Sequence, residues 1–251
     1  MSTIKITKNS KNIGPGCKYL LDIVRGCKNQ CLGCYARAIY YQGSKTEFDQ
    51  PKLLDFDKQK LSNQLKNFSK KEEPVVRIGV NSEPCVNIRL LKNVVNLCGK
   101  YNVKIIIITK SIIFSKPLVD VLKNSNVTLH ISLGMISRAQ SDEKRLAEAK
   151  RFEKEGIKVI YRIIDDVTQK PKDFFKKVIK ENKYILVTPF RARSYNIARA
   201  YNLDLKNYTF HKSYFKPNFV NKEWRKKLNR FCGEIIKNNK AMRLCGRCFI
   251  D

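Results

Sequence analysis

The sequence predicts an α/β protein whose core is a partial (β/α)6 barrel of the TIM type, followed by a small cysteine-containing C-terminal extension. Two patterns favour this class: short β-rich runs alternate with helical segments from Tyr19 onward, and one face of the runs is polar. The alternation stops after about Phe210. The predicted domains are an N-terminal extension (1–16), a barrel (17–210) and a basic C-terminal module (211–251).

Six runs rich in β-branched and aliphatic residues are the predicted barrel strands. In chain order they are YLLDIV (19–24), VVRIGV (75–80), VKIIIIT (103–109), VTLHISL (127–133), KVIYRII (158–164) and YILVTPF (184–190). Because helical segments separate them, we expect successive βα units and a parallel sheet.

Two of the intervening helices have readable ends or faces. The sequence SDE at 141–143 is typical of a helix start, and Gly156 is typical of the C-terminal cap of the same helix. In an earlier helix, one face carries Ile88, Leu91, Val95 and Cys98. We therefore expect Cys98 to pack in the core rather than to take part in chemistry.

The polar face of the strands distinguishes a partial barrel from a closed one. Aliphatic residues alternate with Arg77, Gly79 and Asn81 in the second predicted strand and with Thr128, His130 and Ser132 in the fourth. This face is too polar for the packed lumen of a closed eight-stranded barrel. We therefore expect a ligand inside, bound at the C-terminal ends of the strands. A ligand contact and a hydrogen-bonded interior position both fit His130.

Composition and charge narrow the class of protein. The chain of 251 residues has nine cysteines, 43% hydrophobic residues and a formal charge of +29. That charge favours a nucleic acid or another polyanion as partner, and an AT-rich genome is the alternative source of the lysines. The N-terminal sequence lacks an apolar signal core, and the aliphatic run 105–108 is too short to span a bilayer. We expect a cytoplasmic protein that does not bind membranes.

Three cysteines lie close together after the first predicted strand. Cys27, Cys31 and Cys34 form a CxxxCxxC array in the sequence RGCKNQCLGCYAR. In a protein of this size without a secretion signal, clustered cysteines indicate metal binding or catalysis. A structural zinc site needs four ligands, whereas a cubane iron–sulfur cluster held by three thiolates keeps one iron open. The array favours such a cluster, with zinc and a chance grouping of core cysteines as the alternatives.

The array and its position resemble the radical S-adenosylmethionine superfamily. Within it, the chain resembles the spore photoproduct lyase branch through RGCKNQCLGCYAR, IGVNSEP, IIITKS and RLAEAKRFEKEGIKV, between about residues 17 and 190. The resemblance implies a 4Fe-4S cluster whose open iron binds S-adenosylmethionine, and a 5′-deoxyadenosyl radical that abstracts hydrogen from a substrate. It also implies an electron donor such as flavodoxin or ferredoxin.

The resemblance implies a cofactor-binding role for several residues outside the array. Asn81, Ser82 and Glu83 end the second predicted strand, where superfamily members commonly bind the amino group of S-adenosylmethionine. Ser132 resembles a position that contacts the ribose or the carboxylate of this cofactor. Ordinary loop and turn positions are the alternative for all four residues.

Cys85 and Tyr35 resemble the hydrogen-atom donor and a relay tyrosine of spore photoproduct lyases. The resemblance therefore implies catalytic roles for both side chains. The residue before Cys34, often aromatic in the superfamily, is Gly33 here, which departs from the relay pattern. A packed thiol is the alternative for Cys85.

A second group of cysteines lies in the C-terminal module. Cys245 and Cys248 form a CxxC pair, Cys232 lies upstream, and Cys17, His211 or an exogenous group could complete a four-ligand site. A second iron–sulfur cluster, a structural zinc and unligated thiols all fit this spacing. The preceding segment, 191–230, interleaves cations with aromatic side chains. This pattern suits a nucleic-acid surface and also a solvated helical face over an aromatic core.

Three functional hypotheses follow. The first is a radical S-adenosylmethionine enzyme that repairs or modifies a nucleic acid after extracting a nucleotide from its stack. The second is a radical enzyme that acts on a peptide or a small anionic metabolite and carries an auxiliary cluster. The third is a metal-stapled nucleic-acid-binding protein without catalytic activity.

Overall fold

The computed structural model describes residues 3–8, 18–32, 34, 36–37, 45–134, 138, 140–165, 174, 177–178, 181, 184–189, 208–211, 214–217 and 241–244. The chain divides into two compact units. The first contains Met1–Ser132, Ser137–Ile160 and Gly246–Asp251, and the second contains Leu133–Ile136 and Tyr161–Cys245.

The strands and helices follow the predicted alternation. The strands are β1 Thr7–Lys8, β2 Tyr19–Leu20, β3 Val24–Arg25, β4 Lys52–Leu53, β5 Val75–Ile78, β6 Lys104–Thr109, β7 Val127–Leu133, β8 Lys158–Asp165, β9 Tyr184–Pro189, β10 Tyr208–His211, β11 Tyr214–Pro217 and β12 Ala241–Leu244. The helices are α1 Lys45–Asp49, α2 Lys58–Phe68, α3 Ile88–Lys100, α4 Lys116–Lys123 and α5 Asp142–Lys154, and a 3-10 turn spans Pro84–Val86.

The first unit is built on a mostly parallel sheet with the strand order β1-β2-β5-β6-β7. The edge strand β1 runs antiparallel to β2, and the other neighbours are parallel. Every residue of β5 and of β7 is buried, as in parallel sheets that are covered on both faces. Ile4, in the predicted N-terminal extension, is 1% exposed. The domain boundaries at residues 16 and 210 stay a prediction.

The polar face of these strands is enclosed. Its buried side chains include Arg77, Thr128, His130 and Ser132. Buried polar groups need partners, so a sheet interior of this kind suits a polar ligand rather than a dry core. The role of His130, which is fully buried, stays a prediction.

The prediction of one continuous strand over residues 19–24 is wrong. The Leu21 amide still donates to the Arg77 carbonyl at 2.9 Å, but the Ile23 carbonyl accepts from the Leu54 amide at 3.1 Å. Accordingly β2 pairs with β5, whereas β3 pairs antiparallel with β4. The backbone changes partner within this run, which takes it out of the parallel sheet before the cysteines.

In the second unit, the part of β8 from Tyr161 onward pairs in parallel with β9, and β9 pairs in parallel with β12. A separate antiparallel pair is formed by β10 and β11. The sequence pattern predicts β8 and β9, but it predicts no strand in the C-terminal module, where the structure has β11 and β12. These are four-residue strands, and runs this short carry little periodic signal.

The predicted ends of α5 are confirmed, and on the predicted core face of α3 Leu91, Val95 and Cys98 are buried, whereas Ile88 is half-buried. The Ser141 side chain caps the first turn of α5, and Gly156 has a φ of +82°. The Gly156 amide donates to Glu153, and the next amide donates to Phe152, which is the hydrogen-bond pattern of a Schellman cap. Cys98, on α3, is fully buried, as expected for a core residue.

Among the helices that the structure describes, none combines the length and the apolar character needed to cross a membrane.

Gly79 follows β5 in a tightly packed position, and Gly156 has a similar φ in open space. Comparing alanine substitutions at the two positions measures how much close packing contributes to the free energy of unfolding. Gly79 has a φ of +84°, and a Cβ there would clash with the Ile108 carbonyl oxygen and lie 2.7 Å from Pro84 Cδ, whereas the space around Gly156 is open. We expect Gly79→Ala to lower the free energy of unfolding by about 3 kcal/mol or more, because the backbone must move. Gly156→Ala should cost only about 1 kcal/mol, for the left-handed backbone alone. Urea unfolding of the apo-protein checks both values, and equal losses would contradict the steric argument.

Candidate functional site

The cysteine loop, residues 26–34 with Gly33 outside the described residues, is held between two other segments of the first unit. Gly26 has a φ of +88° and forms a parallel bridge with Ser82. The Cys27 amide donates to the Phe48 carbonyl at 2.7 Å. A Cβ at Gly26 would lie 2.6 Å from the same oxygen, so this approach requires a glycine. The loop therefore begins in a backbone position that is fixed on both sides.

The three thiols of the loop interact electrostatically. Cys31 is buried, Cys27 and Cys34 are half-buried, and none of them forms a disulfide. Burial raises the pKa of Cys27 to about 12, and the charges of Glu83 and the two other cysteines add to this increase. In the described part of the chain, no three His, Cys, Asp or Glu side chains are drawn together as metal ligands. The donor set fits an iron–sulfur cluster chemically, because its thiolates need the positive charge that metal ions supply.

Glu83 lies after β5, at the start of the 3-10 turn, and is 4% exposed. Its Oε1 accepts hydrogen bonds from the Cys85 amide at 3.1 Å and from the Thr109 hydroxyl at 2.5 Å. Its Oε2 accepts from Asn29 Nδ2 at 3.2 Å and from the Lys110 amide at 2.8 Å. One buried carboxylate thus connects the cysteine loop, the turn after β5 and the end of β6.

Asn81 and Ser82 make contacts different from those of Glu83. Asn81 Nδ2 donates to Asp22 Oδ2 at 3.0 Å. Burial raises the pKa of Asp22, and the Asn81 side chain and the backbone amides of 79–81 oppose this shift. In the part of the chain that the structure describes, the buried atoms Asp22 Oδ1 and Ser82 Oγ have no hydrogen-bond partner. The ends of the first two barrel strands therefore present polar atoms that are open to a ligand.

Ser132 and Arg145 form a second polar group, at the end of β7. Ser132 is 1% exposed, and within the described residues its hydroxyl has no hydrogen-bond partner. Its carbonyl accepts from Arg145 Nη1 at 2.5 Å, and Arg145 also forms an ion pair with Asp142. Burial lowers the pKa of Arg145, whereas Asp142, Cys31 and Glu83 raise it. The field of a buried guanidinium therefore reaches the cysteine loop.

Cys85 lies in the 3-10 turn after β5 and is buried. Burial raises the pKa of its thiol well above the ordinary value, and the charge of Glu83 adds to the effect, whereas a hydrogen bond with Thr109 opposes it. The thiol is therefore held as S–H, the form that can release a hydrogen atom.

Several predicted positions cannot be placed in this geometry. Tyr35, Cys232, Cys245 and Cys248 lie outside the described residues, as do Cys17 and Gly33. Of His211, the structure gives the backbone position in β10. Their predicted roles stay predictions.

Four residues of the site are not indicated individually by the sequence patterns. They are Asp22, Asn29, Thr109 and Arg145. Thr109 and Arg145 do fall within two of the segments that carry the family resemblance, IIITKS and RLAEAKRFEKEGIKV. The contact between Asn29 and Glu83 spans 54 residues, so no local pattern could reveal it.

Comparison with solved structures identifies the fold. Spore photoproduct lyase complexed with dinucleoside spore photoproduct has a TM-score of 0.67 and 14% identity, and the match covers 96% of this chain and 79% of that one. The anSMEcpe structure with bound AdoMet has a TM-score of 0.59 and 13% identity, over 89% and 64% of the two chains. Streptococcus suis SuiB bound to precursor peptide SuiA has a TM-score of 0.55 and 14% identity, over 90% and 47%.

The chain has the fold of radical S-adenosylmethionine enzymes. The predicted class, a partial (β/α)6 barrel, is therefore confirmed. No protein-family model and no curated protein matches the chain. Identities of 13–14% establish a shared fold, and the activity has to be argued from the residues of this chain.

The half-buried carboxyl group of Asp22 predicts a pH-dependent stability. Because burial raises its pKa, the folded state disfavours the ionised carboxylate, and stability falls as pH rises through that pKa. We expect apo-protein carrying Asp22→Asn to be more stable than the parent at pH 7, with the gain shrinking as pH falls towards 4. Urea unfolding over this pH range measures the difference.

The exposed carboxylate of Asp120, on α4, provides the matched control for this experiment. Asp120→Asn should show no comparable gain at pH 7. A pH-independent effect of Asp22→Asn would contradict the assigned cause.

Proposed function

We propose that the protein is a cytoplasmic radical S-adenosylmethionine enzyme in which Cys27, Cys31 and Cys34 hold a 4Fe-4S cluster. One observation carries this proposal: in this fold, the CxxxCxxC loop follows the run that begins with β2 and is bonded to the segments that follow β5 and β6. When bound, the cluster and S-adenosylmethionine supply a 5′-deoxyadenosyl radical that can abstract hydrogen from a substrate. The electron comes from a donor such as flavodoxin or ferredoxin.

The polar atoms around the loop suit the cofactor. Asn81, Ser82 and Ser132 are candidate ligands, and the hydroxyls of both serines are buried and open to a hydrogen bond within the described residues. Arg145 supplies a buried positive charge. Glu83 has the charge to bind an ammonium, but it already accepts four hydrogen bonds from the protein.

Cys85 is the proposed hydrogen-atom donor to the product radical. Its raised pKa keeps the proton on sulfur, and its turn begins two residues after Ser82, which forms a bridge with the cysteine loop. Tyr35 is the proposed relay residue, on the resemblance alone. Both roles apply after the radical has formed, so neither side chain is needed to cleave S-adenosylmethionine.

A nucleic acid is the proposed substrate class. The charge of +29 favours a polyanion, and spore photoproduct lyase, whose structure contains a dinucleoside, has a TM-score of 0.67 to this chain. A peptide is the second candidate, because SuiB and anSMEcpe structures contain peptides and share the fold at TM-scores of 0.55 and 0.58. We also propose that Cys232, Cys245 and Cys248 bind a second cluster or zinc.

The cluster proposal predicts a specific effect of removing one loop cysteine. Anaerobically reconstituted parent protein should contain about four irons more than Cys31→Ala, since a cubane cluster needs its three thiolates. After reduction, the parent should convert S-adenosylmethionine to 5′-deoxyadenosine, and Cys31→Ala should not. Iron and sulfide analysis and chromatography of the nucleoside provide the measurements.

Two other cysteine variants separate the roles. Cys98→Ala, in the core of α3, is the matched control and should retain both the cluster and the cleavage reaction. Cys85→Ala should also retain both, because its proposed role follows cleavage. A colourless parent protein that binds zinc would exclude the radical enzyme and leave the non-catalytic hypothesis.

The substrate proposal predicts salt-sensitive binding to nucleic acid. If the positive charges contact phosphates, affinity for single-stranded DNA or RNA should fall by about 10³-fold between 50 and 200 mM salt, as for proteins with several phosphate contacts. Fluorescence anisotropy at several salt concentrations measures this slope. Absence of binding at the lowest salt, with cleavage of S-adenosylmethionine stimulated by peptides, would favour the second candidate instead.

A further inference from the structure

We propose that Glu83 is a positioning residue: through Asn29 it fixes the cysteine loop to the ends of β5 and β6, and it does not bind the cofactor ammonium. The inference rests on the proposed function and refines it, because it reassigns the carboxylate for which the family resemblance implies a cofactor contact.

The first argument is the number of acceptor positions. A carboxylate has two oxygens, with about four lone-pair positions in total. In Glu83, each oxygen accepts two hydrogen bonds from the protein, and the four donor–acceptor distances lie between 2.5 and 3.2 Å. An ammonium group would have to displace one of these donors, which would then be buried without a partner.

The second argument is the position of Asn29 within the loop. It lies between the first two cysteines and is 3% exposed, and both polar atoms of its side chain form hydrogen bonds. Its Nδ2 donates to Glu83, and its Oδ1 accepts from the Ser111 hydroxyl at 3.1 Å. Its backbone carbonyl accepts from the Arg138 amide at 2.8 Å. The middle of the loop is therefore held by residues that follow β6 and β7.

The third argument is that the network is closed. Thr109, which donates to Glu83, also accepts a hydrogen bond from the Ser111 amide at 3.0 Å. Ser111 in turn donates to Asn29, which donates to Glu83. In such a ring each hydrogen bond orients the next, so the loss of one member loosens the loop as a whole.

The experiment compares Asn29→Ala, Glu83→Gln and the double variant by two measurements. The first is hydrogen exchange of the amides in residues 27–34 of the apo-protein. The second is the rate at which an iron chelator removes iron from the anaerobic holoprotein. Each single change should accelerate both processes about tenfold, the effect of leaving one buried polar group unpaired. The double variant should add little, because both changes disrupt the same ring of hydrogen bonds.

A matched control separates loop positioning from general instability. Asn87→Ala removes the side-chain cap of α3, where Asn87 accepts from the Leu90 amide at 2.9 Å. It should lower global stability without accelerating exchange in residues 27–34 or the release of iron. If Glu83→Gln does not fold, Asn29→Ala still provides the test, because it leaves Glu83 with three of its donors.

A cofactor-binding role would give a different result. Glu83→Gln would then raise the Kd of S-adenosylmethionine at least tenfold and leave hydrogen exchange in residues 27–34 unchanged. Asn29→Ala would change neither the Kd nor the exchange. This combination would overturn the proposal. The exchange measurement needs no cluster. A parent protein that fails to bind iron would therefore disprove the proposed function while still testing the role of Glu83.

Discussion

The structure around the cysteine loop depends on the requirement that a buried carboxylate be surrounded by donors. Glu83 meets it with one amide from its own turn, two donors from the end of β6 and one from the cysteine loop. Leaving any of these groups unpaired would cost about 1–3 kcal/mol. The three segments are therefore coupled, and the loop cannot move independently of the sheet without breaking hydrogen bonds in the interior.

The interior of the first unit also contains buried polar side chains on β5 and β7. A parallel sheet covered on both faces is normally lined by aliphatic side chains. Here β5 and β7 bury Arg77, His130 and Ser132 among such side chains. Buried polar groups are costly unless they are hydrogen-bonded, and within the described residues the Ser132 hydroxyl is not. The unpaired Ser132 hydroxyl lowers stability but leaves a polar group open to a ligand, as is expected in a binding site.

The sequence was informative where structure is determined locally. The positions of β5 to β9 follow from runs of β-branched residues, and the ends of α5 follow from Ser141 and Gly156, because periodicity and capping act over a few residues. The break in the first strand was not predictable, since it depends on pairing with β4, about 30 residues later in the chain.

In the candidate site, too, some features can be predicted from local sequence, whereas others depend on distant residues. The CxxxCxxC array can be recognised from spacing alone, and Glu83 from its place after a predicted strand. The partners of Glu83 come from residues 29, 109 and 110, so its hydrogen bonds depend on tertiary structure that spacing does not encode. The sequence therefore indicated the cysteines and Glu83, but neither their partners Asn29 and Thr109 nor the hydrogen bonds that join them.

The electrostatics of the loop disfavour three ionised thiols in the absence of a nearby cation. Thiolates at Cys27, Cys31 and Cys34 would lie near one another and near a carboxylate, and each negative charge raises the pKa of Cys27 further above that of a free thiol. The buried guanidinium of Arg145 offsets part of this charge, because it interacts with both Cys31 and Glu83. A hydrogen bond to the Ser132 carbonyl and an ion pair with Asp142 fix the position of this guanidinium. In the proposed cluster site, the rest of the compensation would come from iron ions at the sulfur atoms, which would couple the binding of iron to the ionisation of the thiols.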